Sequence, residues 1–154
     1  MANLKDWYDD IVKVVDEQKI RLGKKTQKKY KVDSLLRVAK RVAEFAEDCE
    51  ECRGFQGEIN TLASRLGNVE EFSKEERKEY SRTRKKLTEH LQKKHKLVPE
   101  GYYVGVGVAL GISIGVAIGT AIQVIGAGIG IGLALGAAIG SSLDAQAKKD
   151  GKVI

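Results

Sequence analysis

Residues 101–143 read GYYVGVGVALGISIGVAIGTAIQVIGAGIGIGLALGAAIGSSL, without a charge between Glu100 and Asp144. Glycine occupies every fourth position at Gly107, Gly111, Gly115 and Gly119, and the spacing returns at Gly128, Gly132, Gly136 and Gly140. A single helix of this length would extend about 65 Å at 1.5 Å per residue, roughly twice the hydrocarbon thickness of a bilayer. The stretch therefore predicts two membrane-spanning helices. A shift of 21 residues superimposes Gly105–Gly119 on Gly126–Gly140, so the spans are near copies joined around Gln123–Gly126.

A second row of small residues runs two positions from the first: Gly101, Gly105, Ala109, Ser113, Ala117 and Ala121, then Gly126, Gly130, Ala134, Ala138 and Ser142. Two positions are about 200° on a helix, so each span carries small residues on opposite sides. Between helices in lipid, small rows mark surfaces of close backbone approach. One row per span suffices for a hairpin, and the other is expected to serve a second copy of the chain. The near-perfect small/large alternation also fits a strand, but glycine is disfavoured in strands and a barrel would need a polar lumen. The blander alternative is that the glycines only make a compact hairpin and say nothing about assembly.

Outward from this stretch, the chain changes character. Residues 1–100 hold 24 basic and 19 acidic residues, a mildly basic balance that suits an anionic lipid surface or an acidic partner. The N-terminus lacks the apolar core and cleavage site of a signal peptide. Lys93, Lys94 and Lys96 precede the first span and Lys148, Lys149 and Lys152 follow the second, whereas the turn is uncharged. By the positive-inside rule both termini are expected in the cytoplasm, with the hairpin in the cytoplasmic (inner) membrane.

The apolar spacing of Leu4, Tyr8, Ile11, Val15 and Leu22 predicts an amphipathic helix ended by Gly23. Lys24–Lys31, with five lysines and no acid, reads as an exposed basic connection. From Leu35 a heptad with Leu35, Val42, Cys49, Gln56 and Ala63 at one core position, and Val38, Phe45, Cys52, Ile59 and Leu66 at the other, predicts one long second helix. Gly54 and Gly57 mark its weak point, and Gly67-Asn68 its end. Ser73-Lys74-Glu75-Glu76 has the form of a capping box that opens a third helix, running to Leu97 and ended by Pro99. The expected fold is all-α: a three-helix cytoplasmic domain over residues 1–99, a two-span hairpin over 100–145 and a charged tail over 146–154.

Residues Tyr102–Ile154, including the tail SSLDAQAKKDGKVI from Ser141, resemble glycine-zipper domains of small bacterial membrane proteins. The resemblance implies a membrane location and tight helix packing, and no activity.

Candidate chemistry is sparse. Cys49 and Cys52, with His90 and His95, invite a zinc reading. Against it stand the 37 residues between Cys52 and His90, the place of both cysteines on the heptad core stripe, and an angle of about 140° between the histidines around a helix. Two buried core cysteines and no metal are therefore expected. Asp48, Glu50 and Glu51 have the wrong sign to stabilise a redox thiolate. The glycines lack a Walker lysine, and no nucleophile stands with a base, so neither a cofactor nor enzymatic activity is expected. Nucleic acid is disfavoured as a partner, since only Tyr30 and Tyr80 lie near the basic runs and no binding-fold signature is present.

The expected sites are thus a helix-packing set of Gly105, Gly107, Gly111, Gly115, Gly119, Gly126, Gly128, Gly130, Gly132, Gly136 and Gly140, and a lipid-headgroup set of Arg82, Arg84, Lys85, Lys86, Lys93, Lys94, Lys96, Lys148 and Lys149. The expected function is a homo-oligomeric membrane component, pore-forming or membrane-perturbing, reinforced or gated by its cytoplasmic helical domain. The alternative is a membrane-anchored scaffold whose helical domain binds a protein or nucleic-acid partner.

Overall fold

A computed structural model describes residues 4–154, and its elements are helical, with no strand among the described residues. The chain divides into two compact units, one reaching to Lys96 and the other spanning Leu97–Val153.

The first unit contains α1 (Leu4–Arg21), α2 (Lys24–Tyr30), α3 (Val32–Phe45), α4 (Glu50–Arg65), a 3-10 turn (Leu66–Asn68) and α5 (Lys74–His95). Its core joins apolar stripes from four helices: Ile11 and Val15 from α1, Leu35, Val38 and Val42 from α3, Cys52, Ile59 and Leu62 from α4, and Leu87 and Leu91 from α5, all buried. A buried aliphatic side chain of this kind contributes about 1.5–3 kcal/mol. The capping box forms as expected, with Glu76 N–H donating to Ser73 Oγ at 3.1 Å and Ser73 N–H to Glu76 Oε2 at 2.8 Å. α5 offers a thin apolar stripe, and a helix this polar depends on its neighbours for stability.

Two segments depart from the three-helix expectation. Lys24–Tyr30 is a helix rather than a connection, because its last residue is an anchor. Tyr30 is buried, donates its hydroxyl to the Val69 carbonyl at 2.8 Å, and meets the Phe72 and Tyr80 rings edge-on at 6.1 and 5.6 Å. Lys31, left-handed at φ 51°, then turns the chain into α3.

The long second helix is two helices, broken at Ala46–Cys49 and not at its glycines. The Phe45 carbonyl accepts from Asp48 N–H at 3.2 Å and Cys49 N–H at 2.8 Å. The Arg53 guanidinium reaches back from α4 to the Ala46 and Glu47 carbonyls at 3.1–3.2 Å, holding the corner. Cys49 becomes the extended N-cap residue of α4, while Gly54 and Gly57 lie inside an unbroken helix.

The second unit is a hairpin of α6 (Tyr102–Ala121) and α7 (Ile125–Lys149), both long and apolar enough to cross a membrane. α7 continues through residues 146–149, so the start of the charged tail is helical. The turn is closed by Gln123, left-handed at φ 58°: Val124 N–H donates to the Gly119 carbonyl at 2.8 Å and Gln123 N–H to Thr120 at 3.2 Å. This paired pattern satisfies the carbonyls a helix end leaves open.

Candidate functional site

Within the hairpin, the two small rows have different surroundings. Gly107, Gly111, Gly115 and Gly119 face Gly140, Gly136, Gly132 and Gly128 so closely that a Cβ on any of them would overlap opposing backbone. A Cβ on Gly132, for example, would stand 2.9 Å from the Gly111 carbonyl carbon and 3.0 Å from the Gly115 Cα. A Cβ on Gly105, Gly126 or Gly130 meets no described atom within 4 Å. Ala109, Ser113, Ala117, Ala134 and Ala138 of that second row are exposed.

Asp144 adds a part that the sequence reading passed over. Its carboxylate accepts from Tyr103 N–H at 3.1 Å and Val104 N–H at 3.0 Å, capping the N-terminus of α6 from the far end of α7. Gly101, the local N-cap residue, has no side chain to do this, and a carboxylate also complements the positive end of the helix. Its only signal in sequence is that it is the first charge after the apolar run.

The basic side chains of α5 are not one free surface. Arg82, Lys85, Lys93 and Lys94 are exposed, as are Lys96 beyond the helix and Lys148 and Lys149 of α7. Lys86 pairs with Glu58 at 2.7 Å and lies over the Phe55 ring, and Lys85 pairs with Glu89 at 3.5 Å. Arg84 is half-buried, and burial pulls its pKa down.

The site that sequence reasoning set aside is assembled in the first unit. α4 and α5 run antiparallel about the turn at Leu66–Asn68, which brings the start of α4 to the end of α5. There the Sγ atoms of Cys49 and Cys52 and a ring nitrogen of each of His90 and His95 lie within 4.8 Å of one another. Cys49 Sγ is 3.5 Å from His90 Nε2, and Cys52 Sγ is 3.4 Å from His90 Nε2 and 3.3 Å from His95 Nε2. The 140° objection fails because Leu91 points into the core between the two histidine directions, so the rings flank it and converge to 5.3 Å between centroids. The separation of 37 residues is taken up by the α4–α5 pair itself.

The surroundings hold these rings in place. His90 Nδ1 lies 3.4 Å from Glu51 Oε2, His95 stacks on Phe45 at 3.9 Å, and Phe55 presents its edge to His90 at 5.0 Å. Both cysteines are buried and free of disulfide. Burial, then the neighbouring Cys49 thiol, pushes the Cys52 thiol up to about 12, and burial followed by His90 and Lys94 pulls His95 down. A thiol so far from ionisation is no exposed redox nucleophile. Compared with family models, characterised proteins and solved structures, the chain matches none.

Proposed function

We propose that this protein is a two-span integral membrane protein that assembles with copies of itself through its glycine-zipper hairpin and carries its helical domain in the cytoplasm. The observation that carries the reading is the unequal use of the two small rows. One is consumed inside the hairpin; the other, equally small, is exposed along both helices. Around it stand large apolar side chains such as Ile131 and Leu135, 63% and 59% exposed, whose natural solvent is lipid. Lysines at both outer ends and none at the turn support a cytoplasmic side for both termini, where the exposed cations of α5 would gain about 1 kcal/mol each from anionic headgroups. Such an assembly would act as a pore or membrane-perturbing component.

A second reading, a tethered scaffold, is favoured by one observation. The Ser113, Thr120 and Ser141 hydroxyls donate to their own helices at the Ala109, Val116 and Ala137 carbonyls, which leaves little to line a polar lumen. Native mass spectrometry in nanodiscs, combined with solute flux from proteoliposomes, separates the two. Assembly and flux that are both lost in Ala109→Leu support the pore; a monomer without flux returns the protein to the scaffold class.

A further inference from the structure

We propose that Cys49, Cys52, His90 and His95 form a closed, four-ligand zinc site that ties the start of α4 to the end of α5. This inference is independent of the membrane reading, because every ligand belongs to the first unit.

The geometry fits the ion. With Zn–S of about 2.3 Å and Zn–N of about 2.0–2.1 Å, a tetrahedral centre sets its sulfur and nitrogen ligands about 3.6 Å apart along each edge. The three sulfur–nitrogen separations are 3.3, 3.4 and 3.5 Å, within about 0.3 Å of that edge. Hydrogen bonding explains the cluster less well. Cys52 Sγ approaches two Nε2 atoms and His90 Nε2 approaches two sulfurs, which is the pattern of four donors aimed at one point rather than of paired partners.

The chemistry fits as well. Two thiolates neutralise a divalent cation, so the complete centre buries no net charge at Cys52, which is fully enclosed. Two sulfurs and two imidazoles select zinc over magnesium or calcium, which take oxygen. Four protein ligands leave no open position, so the role is structural. Glu51, exposed itself, sits on His90 Nδ1 at 3.4 Å and favours the tautomer that turns the Nε2 lone pair toward the sulfurs. Arg53 pins the carbonyls of the corner that presents Cys49, the N-cap residue of α4, and Cys52 follows in the first turn of that helix, so both sulfurs are carried by one fixed helix start.

The test uses the full chain in detergent micelles, reduced with a phosphine and titrated with Co(II) alone. The expected result is saturation at one ion per chain, with the intense visible bands of tetrahedral cobalt and a thiolate charge-transfer band in the near ultraviolet, all displaced by Zn(II). Cys52→Ser and His95→Gln should each weaken binding at least tenfold, and Cys52→Ser should also reduce the charge-transfer band. No spectrum, a weak octahedral one, or bands unchanged in both variants would overturn the site. The wild-type titration decides even if a variant fails to fold.

Discussion

Replacing Gly132 with alanine puts one methyl group into the tightest part of the hairpin. Its carbon would stand 2.9 Å from the Gly111 carbonyl carbon and 3.0 Å from the Gly115 Cα, with the Gly111 oxygen closer still. All three atoms are backbone, so no side chain can swing aside. Restoring ordinary contact, with the Gly111 oxygen as the controlling atom, requires the helices to part locally by about 1 Å, which forfeits up to about half of each dispersion contact. If the glycine seam contains on the order of forty atom pairs at 0.1–0.2 kcal/mol, the loss is about 1–4 kcal/mol. Gly130→Ala is the matched control: the same change, two residues away, meets no described atom within 4 Å and gains up to about 1 kcal/mol of helix propensity. The assay is an SDS titration in mixed micelles dilute enough to keep chains apart, followed by energy transfer between fluorophores at positions 100 and 146. Gly132→Ala should lower the midpoint and Gly130→Ala should leave it level or raise it. Equal losses at both positions, or none at Gly132, would refute the assignment of the seam.

Asp144→Ala leaves the Tyr103 and Val104 N–H groups without their cap and should cost the hairpin about 1–2 kcal/mol in the same titration. The Glu76 carboxyl lies below its ordinary 4.5 because it accepts first from the Ser73 backbone and also bonds the Ser73 side chain, with Arg65 assisting. A depressed folded pKa gives stability that is present above the unfolded value and lost as pH falls through the folded one. The melting temperature of Glu76→Gln should therefore lie below wild type at neutral pH, and the two should converge as the pH drops below about 4.5; a gap that stays constant would count against the cap as the source.

The hairpin was legible because a four-residue glycine period in an uncharged run has few other physical solutions, and the capping box because its two hydrogen bonds are local. The break at Ala46–Cys49 was not. No glycine or proline marks it, the heptad reads through it, and Arg53, which holds it, acts only once the corner exists. Gly54 and Gly57 drew attention instead, yet a continuous helix tolerates both. Tyr30 hid α2 in the same way, since its partners Val69, Phe72 and Tyr80 lie far along the chain. The cysteine–histidine cluster needed both lessons: the corner sets Cys49 at a helix start, and the α4–α5 pair brings the histidines to it. Helical angles measured at the backbone say little about where an imidazole ring ends.

The carboxylate that closes the start of α6 follows Tyr103 by 41 residues. At a synthesis rate of about 5–20 residues per second, the first helix of the pair waits roughly 2–8 s for its cap to be made. Through that interval its leading N–H groups must find other acceptors, and the seam of glycines has nothing to close against. The two helices therefore mature together, with Asp144 as the last part fitted, and a nascent chain halted before it holds a first helix that is complete in sequence but unfinished in structure.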